Sequence, residues 1–307
     1  MKSSKKASVL RGCLILMRPA NLPTAAADII AGAAIVGVFS KFNSAFYQSE
    51  LIVDFSLLIL ASIFLYAGGV VLNDVFDVNI DAKERPERPI PSGVVSLKTA
   101  SVLGAVLLLL GVVMSFYCNV YAGGVSLIIA GAILLYDALA KHHSFFGPLV
   151  MGSCRGFNLL LGMCAIAMPS PSLLIYMLIP VIYIAAVTLI SRGEVHGNNK
   201  RNIVFSGVLY SIVIICILLF MSKTSFNLLQ TLPFLLLFMV AIFKPLVKAF
   251  RINSPDNIKK AVKAGVLSLV IMDATIAVSI SNYWWVGLVI LLLLPLSLFL
   301  SKQFSVT

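Results

Sequence analysis

Residues 73–89 read Asn73-Asp74-Val75-Phe76-Asp77-Val78-Asn79-Ile80-Asp81-Ala82-Lys83-Glu84-Arg85-Pro86-Glu87-Arg88-Pro89. The chain has only 12 acidic residues, and five of them (Asp74, Asp77, Asp81, Glu84, Glu87) fall in this stretch, so acid is concentrated here. An apolar run over 54–74 leads straight into it. Carboxylates at the end of such a run are costly and usually serve a site. On a helix, Asn73, Asp77 and Asp81 project at about 0°, 40° and 80°, and Asp74 at about 100°. One face then carries three carboxylates and an amide. Oxygen ligands so placed suit Mg²⁺, which takes one or two carboxylates together with substrate phosphates. Arginines just beyond would complete a diphosphate site. A helix end with solvated acids is the plainer reading, and it leaves both the spacing and the basic sequel without a reason.

Outward from this stretch the chain is apolar almost throughout. Of 307 residues 60% are hydrophobic and 11% charged, with mean hydropathy +1.03, which excludes a soluble globular domain and implies a polytopic membrane protein. Apolar stretches of spanning length fall near 20–39, 54–74, 97–117, 119–140, 148–168, 172–191, 203–221, 229–247, 262–281 and 284–301. The expected fold is an all-α polytopic transmembrane bundle of nine to ten helices. Residues 1–17 are expected to form a basic interfacial segment, and 18–302 a single transmembrane domain.

The net charge of +11 does not point to nucleic acid. With the N-terminus inside, twenty Lys and Arg fall in inner segments and two, Lys41 and Lys223, in outer loops, a bias that fixes the topology. It puts both termini and the Asp-rich stretch on the cytoplasmic side, and the excess charge on anionic membrane lipids. A cleavable signal is not expected, because Arg18-Pro19 interrupts the short apolar run 13–17. The five cysteines lack metal-ligand spacing and read as reduced.

Two polar insertions recur at matching places. The Asp-rich stretch follows the second expected span, and Ser191-Arg192-Gly193-Glu194-Val195-His196-Gly197-Asn198-Asn199-Lys200-Arg201 follows the sixth. Two halves of four helices would place a site between them. A third polar segment, Tyr136-Asp137-Ala138-Leu139-Ala140-Lys141-His142-His143, follows the fourth span on the same side.

At these residues the chain resembles the UbiA superfamily of intramembrane prenyltransferases. The resemblance rests on Asn73-Asp74-x-x-Asp77-x-x-x-Asp81 and on Arg85-Pro86-x-Arg88-Pro89-Ile90-Pro91-Ser92-Gly93. It extends to Arg18-Pro19-x-Asn21 and to Tyr136 with Lys141, and covers roughly residues 14–281. Gly152-x-Cys154-Arg155-Gly156 and the 191–197 segment look like the branch described as EboC-like. The resemblance implies an enzyme of the bacterial inner membrane. It would move an isoprenoid group from a Mg²⁺-bound polyprenyl diphosphate to a small-molecule or lipid acceptor. It also implies metal binding by Asn73, Asp74, Asp77, Asp81, Glu194 and Asn198, with Asp74, Asp77, Asp81 and Lys141 as the catalytic set. Arg85, Arg88, Tyr136 and Arg192 would bind substrate, joined by Asn21 and Arg155 on the acceptor side.

One departure stands out. The family's second motif pairs two aspartates four apart, and here Glu194 and Asn198 occupy those positions. Four carboxylates would serve where five are usual, so a second Mg²⁺ would be held more weakly. That loss favours the alternative of a non-catalytic protein that binds or transports an isoprenoid or metabolite, and the intact first motif opposes it. Arg155 lies inside a span, where it needs a partner. Asp137 could be that partner in a structural pair, or Arg155 could reach the acceptor. Asp28 and Asp273 are two further intramembrane acids that could pair locally or, in a transporter, carry a coupling ion.

Overall fold

The computed structural model describes residues 2–41, 48–143, 145–194, 197–221, 228–281 and 283–304. It is all-α. Helix α1 (Lys2–Leu16) and a 3₁₀ turn (Pro19–Asn21) precede α2 (Leu22–Ile35), α3 (Val38–Lys41), α4 (Gln48–Phe76), α5 (Val78–Glu84), α6 (Leu97–Cys118) and α7 (Val120–Ala138); further 3₁₀ stretches lie at Ala140–His142 and Pro171–Met177. Then follow α8 (Phe146–Met163), α9 (Leu178–Ser191), α10 (Lys200–Met221), α11 (Leu228–Arg251), α12 (Pro255–Ser281), α13 (Trp284–Leu291) and α14 (Leu293–Gln303).

Among the described residues, eight helical stretches are long and apolar enough to cross a membrane. They match eight of the ten expected spans. The first and fifth expected spans fall on α2–α3 and α8, which do not qualify. The reasons differ. Helix α2 has 14 residues, a rise of about 21 Å, short of a hydrocarbon core of about 30 Å. A positive φ of 73° at Gly37 separates it from α3. Helix α8 is long enough at 18 residues but carries Arg155 and Asn158 in its middle.

These two helices sit at the centre, surrounded mainly by other helices. Every residue of α2 after Leu22 is buried, and it packs against α12, α8 and α4. Close approach is made by small residues: a Cβ on Gly162 would stand 2.5 Å from the Ile29 carbonyl, and one on Gly152 2.5 Å from the Val181 carbonyl. Helix α8 is thereby pressed on α2 on one side and α9 on the other. Packing through glycine also brings polar side chains together, as the site below shows.

Helix α1 is anchored at its C-terminal end, where Leu16 is buried with Val71, Ile90, Val95 and Ala100. It covers the 85–95 loop, whose fold depends on Gly93 in left-handed backbone (φ 74°). At the other end of the chain, α14 lies against the 19–21 turn, and the Ser297 hydroxyl donates to the Ala20 carbonyl.

Candidate active site

The Asp-rich face forms largely as its spacing requires. Helix α4 stops at Phe76 and α5 starts at Val78, yet the ladder Asp77 N–H to Asn73 carbonyl (3.0 Å), Asp81 to Asp77 (2.8 Å) and Arg85 to Asp81 (2.8 Å) keeps helical phase. Past Arg85 the chain turns back through Arg88 N–H to the Arg85 carbonyl, 3.1 Å, and Ser92 N–H to the Arg88 carbonyl, 2.9 Å. Arg88 is therefore folded over the carboxylates that precede it.

Each aspartate is held by a cation. Arg88 Nη1 lies 2.7 Å from Asp81 Oδ2 and 3.3 Å from Asp74 Oδ1. Arg18 Nη2 donates to the same Asp74 oxygen at 2.6 Å, and Lys141 Nζ to Asp77 Oδ1 at 2.5 Å. Asp74 and Asp81 are buried; Asp77, Arg18 and Lys141 are half-buried. Pairs this sheltered from water interact far more strongly than surface pairs. Lys141 also stands 5.9 Å from the centroid of the Phe76 ring.

Two members of this network were not among the expected site residues. Arg18 reaches Asp74 across 56 positions, from a left-handed backbone (φ 48°) that caps the 19–21 turn. A non-glycine residue held in that region marks strain stored where a geometry is needed. Its sequence signal was present in Arg18-Pro19-x-Asn21. Asp137, in the last turn of α7, is buried and accepts a hydrogen bond from Asn73 Nδ2 at 2.7 Å. Nothing in its spacing announced this.

Asp137 is consequently not the partner of Arg155. Arg155 Nε lies 3.0 Å from Asp28 Oδ2, deep between α8 and α2, and the guanidinium sits 5.7 Å from the Tyr66 ring. Asn158 Nδ2 donates to the same Asp28 oxygen (2.8 Å) and to the Ala25 carbonyl (3.0 Å), and Ser62 Oγ donates to Asn158 Oδ1 (2.7 Å). Asp273 on α12 is fully buried, with neither carboxyl oxygen hydrogen-bonded among the described residues, and close enough for its charge to act on Asp28. The glycine-mediated contact of α2 with α8 is what joins these groups.

The second acidic element stands apart. Glu194 is half-buried, and its carboxyl is pushed up from its ordinary value by burial, against the pull of Arg85 and Lys259. Arg85 makes no ion pair with Asp74, Asp77 or Asp81 among the described residues, and its charge acts on Glu194. Asn198 is exposed in left-handed backbone (φ 54°). Among the described residues, neither is hydrogen-bonded or ion-paired to Asp74, Asp77 or Asp81, and no three acidic, His or Cys side chains form a metal cluster. Of the six expected ligands, Asp74 and Asp81 share Arg88, Asp77 meets Lys141 and Asn73 meets Asp137, while Glu194 and Asn198 make no bond to any of them among the described residues. Asn21 and Tyr136 are half-buried beside Arg18 and Asp137, Arg192 is exposed, and His196 lies outside the described residues.

The first group fits a divalent cation. A single Arg88 nitrogen contacts both Asp74 and Asp81, so their oxygens already converge on one positive centre. Hard oxygen donors are the right chemistry for Mg²⁺.

Comparison with known proteins agrees with this geometry. A model of the UbiA prenyltransferase family matches residues 32–265. Digeranylgeranylglyceryl phosphate synthase of Saccharolobus solfataricus is 35% identical over 136 residues, covering 44% of this chain and 47% of that protein. The synthase of Methanococcoides burtonii is 36% identical over 154 residues, covering 48% and 53%. The chain thus spans about half the length of the curated relatives it matches. A solved structure concerned with digeranylgeranylglyceryl phosphate synthase in membranes superposes with TM-score 0.65 at 23% identity, over 90% of this chain and 99% of that one. A UbiA homolog from Archaeoglobus fulgidus bound to GPP and Mg²⁺ superposes at 0.61 with 14% identity, over 82% and 99%. The fold is the same. The chain belongs to the UbiA prenyltransferase family.

Proposed function

We propose that this member of the UbiA prenyltransferase family is an integral-membrane, Mg²⁺-dependent enzyme that transfers an isoprenoid group from a polyprenyl diphosphate to a small or lipid acceptor. The observation that carries the reading is the interleaving of Asp74, Asp77 and Asp81 with Arg18, Arg88 and Lys141. Each cation here neutralises a carboxylate that Mg²⁺ would otherwise neutralise, so the same three cations are on hand for phosphate oxygens.

Asn73, Asp74, Asp77 and Asp81 would hold the metal, which when bound would offset charge on the leaving diphosphate. Arg88, with its fork of donors, is suited to clamp two phosphate oxygens, and Arg18 and Lys141 to take others. The allylic C–O bond breaks with its electron pair on the diphosphate. The prenyl carbon bonds to the acceptor, whose proton leaves to solvent at the mouth. Glu194, with Arg85 and Lys259, forms a second charged bank where a further cation would rest more weakly, with Asn198 as a neutral ligand. Arg192 extends that bank. Tyr136 lines the donor side, and Asn21 and Arg155 face the acceptor.

Charge bias supports a site on the cytoplasmic side, and the bacterial inner membrane is what the family resemblance implies. The relatives' name, digeranylgeranylglyceryl phosphate synthase, makes prenylated glyceryl phosphates the first acceptors to try. The test is diphosphate release by the purified protein from GPP and longer prenyl donors, with and without Mg²⁺. Release that stops with chelator and falls about a hundredfold in Asp81→Asn is expected. Mg²⁺-dependent donor binding without any release would instead select the binding-protein reading.

A further inference from the structure

Asn73 is a side chain with two different ends, and the structure decides which end faces which way. Its Nδ2 donates to Asp137 Oδ1 at 2.7 Å, linking α4 to the last turn of α7. An ionised carboxylate only accepts hydrogen bonds, so it can engage the NH₂ end of the amide and not the carbonyl end. The Asn73 oxygen is then turned away from Asp137. Without this partner the amide would have no reason to prefer that face. Asn73 precedes Asp77 by one turn and Asp74 by one residue, so its oxygen belongs to the same oxygen-lined face.

Asp137 has a second feature that plain packing leaves without a purpose. It is 3% exposed, yet its Oδ2 has no hydrogen-bond partner among the described residues. A buried carboxylate oxygen without a donor costs free energy unless something else fills the place. Lys141, Asp77 and Arg18 are the charges that act on it, so the oxygen sits at the edge of the ion-paired network and not in the apolar bundle.

We infer that Asp137 is a positioning residue for the cation site: it fixes the Asn73 amide with its oxygen toward the aspartates, while its own second oxygen stays at the edge of the ion-paired network. The inference rests on the proposed function, since it assumes that a cation is held at Asn73, Asp74, Asp77 and Asp81. Outer groups that orient a ligand commonly matter about 10- to 100-fold in metal affinity.

The test is Mg²⁺ affinity, read by titrating Mg²⁺ against GPP binding in calorimetry on the full chain in detergent. Asp137→Asn keeps shape but offers Asn73 either end, and should weaken Mg²⁺ about tenfold. In an Asn73→Ala background the same change should add less than twofold, because Asp137 acts through Asn73. The exchanged pair N73D/D137N restores one donor and one acceptor, and should recover Mg²⁺ affinity to within about threefold of the parent. A merely structural hydrogen bond would move the unfolding temperature and leave the Mg²⁺ titration alone. Asp137→Asn within twofold of the parent, or an exchange no better than the single variant, overturns the inference. If Asp137→Asn does not fold, the exchange is compared with Asn73→Asp, and equal Mg²⁺ affinity in those two overturns it. A parent protein whose GPP binding ignores Mg²⁺ overturns the proposed function first, which the parent titration alone reveals.

Discussion

Arg88 touches two carboxylates through one nitrogen, Asp81 at 2.7 Å and Asp74 at 3.3 Å, with its side chain 12% exposed. That geometry rests on a rigid, planar guanidinium, one of whose amino groups supplies both hydrogens. A lysine would bring the same charge and enough donors, but on a flexible stem that does not hold them in one fixed place. Arg88→Lys should therefore lower Mg²⁺-dependent GPP affinity about tenfold, in line with the 1.5–3 kcal/mol typical of hydrogen bonds to charged groups. Isothermal titration checks it, and an unchanged affinity would show that charge alone matters there. At this scale the motif letters were enough to nominate Arg88 and the aspartates. Which aspartate each cation serves was not in them, because Arg18 and Lys141 arrive from segments 56 and 64 positions away.

The α2–α8 seam is the element on which the interior depends. A Cβ at Gly32 would collide with the Leu159 carbonyl, and one at Gly162 would stand 2.5 Å from that of Ile29. Backbone cannot yield as a flexible side chain can. Gly162→Ala should cost about 1–3 kcal/mol, the usual range for overpacking. Gly124→Ala, where nothing lies within 4 Å, should be neutral or slightly stabilising through helix propensity. Thermal unfolding in detergent separates the two, and equal shifts would deny the seam its role. Hydropathy legibly marked the long helices. It could not show that α2, short as it is, would lie at the centre, since burial among helices and burial in lipid select the same apolar residues.

For the whole molecule, four helices meet at one polar knot: Asp28 of α2, Ser62 of α4, Arg155 and Asn158 of α8, and Asp273 of α12. Two carboxylates face one guanidinium, so the knot balances electrically when one carboxyl is neutral. Asp28 makes the contact with Arg155, and Asp273 does not. Asp273→Asn should then be tolerated within about 1 kcal/mol, while Asp28→Asn strips the buried cation of its ion and should cost about 3–5 kcal/mol. Thermal unfolding ranks the two, and the reverse order would reassign the partner. Sidedness is a second property of the whole. In a cysteine-free background, a cysteine at the exposed Ser92 should resist an impermeant outside reagent, and one at the exposed Ser172 should react. Labelling of Ser92 alone would invert the site.

Composition, the apolar run lengths and the stretch from Asn73 to Pro89 by themselves determined a helical membrane bundle with one acid-and-arginine site. Those are local properties: a helix fixes which residues share a face, and a hydrocarbon core sorts long apolar runs regardless of their neighbours. Only the tertiary structure decided that Arg18 and Asp137 join the site, and that Arg155 answers to Asp28 and not to Asp137. Each of these is a contact between segments distant in the chain. Its existence depends on how closely two backbones approach and how each helix is rotated, and those are set by glycine-lined seams whose partners no single stretch of sequence specifies.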